Sequence, residues 1–159
     1  MAGESLLNGK DYVIQIDTET PVTEDAGTPA NYRTVACEVS HDFNIEKATN
    51  QVSNKCGGGW GRSSFGNKNW GFSGEWQAID PSTGDPSQAT LDEMAGLAAS
   101  DTEFWMRRGL LDPLSGKFLP LREGVVKYIN HTETAGTEDP FTFTGEFEGQ
   151  GAPILGATT

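Results

Sequence analysis

The sequence predicts a mainly β protein: an antiparallel β-sandwich or barrel with one flanking α-helix and a long inter-strand loop. Two observations predict it. Several runs alternate apolar and polar residues with a period of two, the signature of strands with one buried and one wet face. A single segment spaces its apolar residues at helical intervals. With 159 residues, the chain reads as one domain over 1–159.

Asn8-Gly9 is a turn signal. Tyr12, Ile14 and Ile16 then alternate with Val13, Gln15 and Asp17, which gives a first strand. Residues 18–31 carry two prolines, a glycine and several carboxylates, and read as a flexible arm or loop. From Arg33 to Glu46, Val35, Cys37, Val39, Phe43 and Ile45 share one phase with His41. The opposite phase holds Thr34, Glu38, Ser40, Asp42, Asn44 and Glu46, with small Ala36. From Trp70 to Ile79 the pattern repeats: Trp70, Phe72, Trp76 and Ala78 against Ser73, Glu75 and Gln77. Between these two long strands lies 47–69, a polar segment containing Gly57-Gly58-Gly59-Trp60. Long connections of this kind are usually functional or disordered.

A helix is expected over 86–98. Asp85 and Pro86 suit an N-cap and first helical position, and Leu91, Met94, Ala95, Leu97 and Ala98 form one stripe. Thr90-x-x-Glu93 is a rival start one turn later. Strands follow at Thr102 to Leu111, Phe118 to Leu121, Gly124 to Asn130 and Phe141 to Glu148, with a short tail at 152–159. The Met and Leu stripe of the helix is core packing rather than a ligand box.

Net charge is -12, which disfavours a general nucleic-acid binder, because phosphate contacts need Lys and Arg. Residues 1–10 hold no signal-peptide core and no run reaches membrane-spanning length, so assembly in the cytoplasm is expected. Cys37 and Cys56 are expected to stay reduced. No Cys/His spacing suits a metal, and no cofactor motif is present. Catalytic candidates are sparse. His41 and Asp42 are adjacent on a strand and so point to opposite faces, while His131 and Glu133 share a face but lead into a loop. No enzymatic activity is therefore expected. Trp60, Trp70 and Trp76 suggest an alternative, a lectin-like carbohydrate-binding sandwich with Trp60 as its anchor.

Taken together, the order of these pieces resembles the major tail tube protein of long, non-contractile-tailed bacteriophages. The resemblance rests on Leu7-Asn8-Gly9-Lys10, the strand Val35 to Lys47, the loop with Gly57-Gly58-Gly59-Trp60 and the strand from Trp70. It continues through the helix Pro86 to Ala98, the strand Thr102 to Leu110 and the closing Phe143-Thr144-Gly145-Glu146-Phe147-Glu148-Gly149-Gln150-Gly151. Segments 18–31 and 111–121 lie outside it. The resemblance implies a structural virion protein that forms stacked, hexameric rings. Those rings would make a tube that conducts DNA, assembled in the host cytoplasm with tape-measure, tail-tip and tail-terminator proteins, without a membrane or cofactor.

Two sets of residues follow as expectations. The polar phases, Glu38, Ser40, Asp42, Asn44, Glu46, Ser73, Glu75 and Gln77, would line the bore, since they face away from the core and include no Lys or Arg. Lys47, Lys55, Trp60, Arg62, Phe65 and Lys68 in the long loop would make the ring-to-ring contact, a local basic excess in an acidic chain.

Overall fold

The computed structural model describes residues 11–23, 31–35, 38–52, 62–78, 88–112 and 114–156. Cys37, Cys56, the Asn8-Gly9 turn and the Asp85-Pro86 helix start lie outside the described residues. The elements run β1 (Tyr12–Asp17), β2 (Arg33–Val35), β3 (Glu38–Val52), β4 (Arg62–Gln77), β5 (Gln88–Ala89), α1 (Leu91–Ala99), β6 (Glu103–Leu111), β7 (Phe118–Thr134) and β8 (Thr142–Leu155). The strands form one sheet in the order β3-β4-β8-β7-β6-β1-β2-β5. Its pairings are antiparallel except the short parallel contact of β2 with β5.

This sheet curls on itself around one core. Ile14, Ile16 and Val35 from one half pack in the same cluster as Trp70, Phe72, Trp76, Phe143 and Phe147 from the other. Non-polar area removed from water is the main force here, at roughly 25 cal/mol per Å². The curl also brings the start of β3 to β1, where the Ile14 N–H donates to the Glu38 carboxylate at 3.2 Å.

Helix α1 begins later than 86. Thr90 is the N-cap, and its hydroxyl accepts from the Glu93 N–H at 3.3 Å. Gln88 and Ala89 are engaged instead in pairing with Thr34 and Val35. The backbone cannot serve a ladder and a helix at once, so Thr90, whose hydroxyl caps the Glu93 N–H, sets the start. Met94 is fully buried, and Leu91, Leu97 and Ala98 pack on the core.

Trp70 is seated by glycines. Its indole N–H donates to the Gly151 carbonyl at 2.7 Å, and a Cβ at Gly149 or Gly124 would overlap its ring. Gly149→Ala is therefore expected to cost about 1–3 kcal/mol through overpacking. A lowered urea midpoint with a red-shifted tryptophan emission checks it; an unchanged midpoint contradicts the seat.

Strand β1 is buried on both faces, beyond what its alternation foretold. Gln15 and Asp17 point away from the core yet are covered. Arg107 donates from Nε and Nη2 to the Gln15 side-chain oxygen at 2.9 and 2.6 Å. Its guanidinium lies 3.9 Å from the Tyr32 ring centroid and 4.2 Å from that of Phe118. Burial, reinforced by the Glu123 charge, pushes the Tyr32 hydroxyl far above its ordinary value, so it stays protonated.

The segment after β1 was expected to be a flexible arm, but its described ends are pinned. The Asp17 carboxylate accepts from Glu19 N and Thr20 N at 2.9 Å, Thr20 Oγ1 at 2.6 Å and Asn31 N at 3.1 Å. Trp105 adds an indole bond to the Pro21 carbonyl at 3.2 Å.

Three other boundaries also differ. The expected loop 47–69 is largely strand, since β3 runs to Val52 and β4 starts at Arg62. Residues 118–121 and 124–130 are one strand, β7, rather than two. The expected tail from 152 is strand to Leu155, because it pairs with Glu123 and Arg122. In each case long-range hydrogen bonding outweighs local turn chemistry.

Candidate functional site

The candidate site is the face of β3, β4, β8 and β7 turned away from the core. Directly paired residues share a face. In register, Ser40 lies across from Glu75, Asp42 from Ser73, Asn44 from Gly71 and Glu46 from Asn69. Strand β4 in turn sets Glu75 against Thr144, Ser73 against Glu146 and Gly71 against Glu148. Strand β7 adds Asn130 beside Glu146 and Thr132 beside Thr144. Seven of the eight residues expected to form this face are on it: Ser40, Asp42, Asn44, Glu46, Ser73, Glu75 and Gln77.

Glu38 is the correction. A register shift between Glu38 and Ser40 leaves Val39 unpaired and inverts the phase. Glu38 then sits across from Trp76, its side chain only 11% exposed, while Val39 is 53% exposed. A bulge adds one residue to one strand and so re-aims every side chain beyond it. Turned inward, Glu38 bonds the Ile14 N–H and contacts His41 Nδ1.

Sequence reasoning missed Glu146 and Glu148. Their alternation with Phe143 and Phe147 was visible, but only the strand order places β8 between β4 and β7. The face is concave. One depression of about 630 Å³ is lined by Asp42, Asn44, Glu46, Ile129, Glu146 and Glu148 among others. A second of about 210 Å³ is lined by Ser40, Asp42, Ser73, Asn130, Thr144 and Glu146 among others. Lys127 joins the face from β7, across from Glu148 and 3.8 Å from Glu103. A concave wall dominated by carboxylates repels polyanions over a screening length of about 8 Å at physiological salt.

The second expected set lies on a projecting ribbon. Pairing of β4 with β8 stops at Gly71, whereas pairing with β3 continues to Arg62. Beyond Gly71, β3 and β4 thus leave the sheet as a two-stranded hairpin, a form only marginally stable alone in water. Lys47 and Lys68 are exposed and directly opposite each other, while Arg62 pairs with Val52 and Phe65 with Thr49. Lys55 and Trp60 lie outside the described residues.

The remaining candidates separate. His41, 7% exposed at its side chain, pairs with Glu38 rather than with Asp42. Its role is to hold the start of β3. The Tyr128 hydroxyl lies 2.6 Å from His131 Nδ1, and His131 Nε2 lies 3.0 Å from Glu133. Burial first, then the Glu133 charge, raises Tyr128 well above its ordinary value, so it stays protonated. Trp70 and Trp76 are buried in the core, which removes two of the three rings a sugar platform would need. Among the described residues no helix is long and apolar enough to cross a membrane.

The described residues define a class: a mainly β module with a helix, an acidic concave outer face and a projecting hairpin. Solved structures with a similar fold include chains of gene transfer agent particles and of a tail tube. Over 96% of this chain and 100% of the other, it matches a chain in the tail of an empty gene transfer agent particle refined with C6 symmetry, at TM-score 0.68 and 16% identity. A chain in the virion of the native gene transfer agent particle gives 0.67 at 17% identity, with 96% and 100% covered. The SPP1 tail tube gives 0.67 at 9% identity, covering 96% of this chain and 80% of that one. No protein-family model and no curated protein matches the sequence. The chain has the fold of these chains.

Proposed function

We propose that this protein is the repeating subunit of a tail tube, a non-enzymatic virion component that stacks as hexameric rings and conducts DNA. The observation that carries this is the acidic concave face on β3, β4, β8 and β7, found on a fold shared with chains of a gene transfer agent tail and of the SPP1 tail tube. In that reading Ser40, Asp42, Asn44, Glu46, Ser73, Glu75 and Gln77 line the bore, joined by Glu146 and Glu148. On this wall carboxylates outnumber the one described cation, Lys127, which already lies 3.8 Å from Glu103, so DNA finds little Lys or Arg to exchange for its counterions and the duplex passes without sticking. The hairpin with Lys47, Lys55, Trp60, Arg62, Phe65 and Lys68 reaches the adjacent ring. Such an arm gains order when it is covered by a partner. Tape-measure, tail-tip and tail-terminator proteins complete the partner set.

Negative-stain imaging of the concentrated protein tests the reading. Rings or tubes are expected; a monomer at every concentration contradicts it. Replacing residues 53–61 by Asn-Gly, a favourable two-residue hairpin turn, is expected to leave a folded subunit whose tubes are shortened or absent. Normal tubes from that variant would show that the hairpin tip does not make the ring contact.

A further inference from the structure

The two ends of the strand array differ in charge and in exposed apolar surface. Register fixes which segments share an end. Leu111 pairs with Phe118, and Arg122 pairs with Leu155. The β6–β7 turn and the end of β8 are therefore at the end toward which the β3–β4 hairpin projects. At the other end Gln77 pairs with Thr142, and Thr142 with Thr134. The β7–β8 connection is there.

The hairpin end carries exposed Lys47, Lys68 and Lys117. It also carries exposed Leu114, Leu119 and Leu155. Leu114 is the most extreme, 96% exposed, on a turn that is held firmly. Asp112 accepts from Leu114 N at 3.0 Å and Ser115 Oγ at 2.6 Å, and its carbonyl accepts from Gly116 N at 2.8 Å. Its own N–H donates to the Lys117 carbonyl at 2.9 Å. Gly116 takes φ +70°, which a glycine adopts without strain. A leucine displayed on so well bonded a turn loses little conformational freedom when it is covered. The opposite end carries exposed Glu133, Glu138 and Asp139, with the exposed ring of Phe141.

We infer that the Leu114 turn is a second ring-contact element and that its partner is the β7–β8 connection of another copy of this chain. The inference rests on the tube reading and extends it by naming both surfaces. Lysines at one end face carboxylates at the other, which selects head-to-tail over head-to-head association. A contact between unlike surfaces is not two-fold symmetric: it closes into a ring or repeats along an axis, and these two surfaces, at opposite ends of the strands, suit repetition along the strand direction. Leu114 and Phe141 supply the apolar centre inside that charged rim.

Crosslinking tests the pairing directly. In a Cys37→Ser, Cys56→Ser background, Leu114→Cys and Phe141→Cys proteins are prepared singly, mixed and treated with a short bis-maleimide. The mixed 114–141 dimer is expected to exceed either homodimer by about tenfold, and Lys117→Glu on the first protein is expected to reduce it severalfold. A mixed dimer no more abundant than the homodimers overturns the inference. Imaging the same background without the introduced cysteines separates the two ideas. Tubes without the mixed crosslink mean that the tube reading stands and the Leu114 contact is wrong. The crosslink without tubes means that the contact is right and the tube reading fails.

Discussion

A subunit carrying Asp42→Lys, Glu75→Lys and Glu146→Lys is expected to assemble normally and to pass DNA slowly. All three side chains point away from the core, and Asp42 and Glu146 are exposed. Glu75 and Asp42 lie on adjacent strands, and Glu146 lies across from Ser73 on the next. The replaced positions would therefore form a cluster rather than scattered points. Lysines there would exchange for DNA counterions, and six to ten such contacts change affinity by about 10³–10⁵ between 50 and 200 mM salt. Passage about tenfold slower at 50 mM salt, recovering by 200 mM, is accordingly expected. Timed release of DNA from particles carrying the variant measures this. Unchanged rates at low salt, or a tube map with these side chains on the exterior, would sink the bore assignment. Glu38→Lys, by contrast, is expected to damage folding rather than transport. Glu38 points inward and bonds Ile14 and His41.

Asp17→Ala is expected to destabilise the subunit by about 3 kcal/mol. Hydrogen bonds to a charged group contribute about 1.5–3 kcal/mol each, and Asp17 accepts four. The loss falls short of their sum because Glu19 and Asn31 are exposed and their N–H groups can find water. The effect has a pH signature. Burial alone would raise the Asp17 carboxyl, but the bonds from Thr20, Glu19 and Asn31 outweigh it and hold it below its ordinary 3.8. The folded value is thus lower than the unfolded one. Its stabilisation is present in full above about pH 4 and is lost as the pH falls through the folded value. Urea midpoints of the wild type and Asp17→Ala should therefore differ most at pH 7 and converge toward pH 2–3. A difference independent of pH would mean that packing, not the carboxylate, holds the segment after β1.

Much of this architecture was legible in residue spacing. Trp70, Phe72, Trp76, Phe143 and Phe147 alternate with polar residues, and all five lie in the core. Met94 and its helical neighbours marked helix α1. The polar phase from Ser40 to Glu46 and from Ser73 to Gln77 marked the acidic face, because side-chain alternation is local and depends on little beyond strand formation. Tertiary structure decided the rest. One unpaired residue, Val39, turned Glu38 from the outer face to the inner one, and nothing local marks a bulge. The order β3-β4-β8-β7 brought Glu146 and Glu148 onto the same face, a juxtaposition of segments about seventy residues apart that only hydrogen-bond register can specify. Asp17 and Gln15 read as the wet side of β1, yet the chain after β1 and the Arg107 stack cover them. Strand periodicity reports which side of a ladder a residue takes, while burial depends on what folds over that side afterwards.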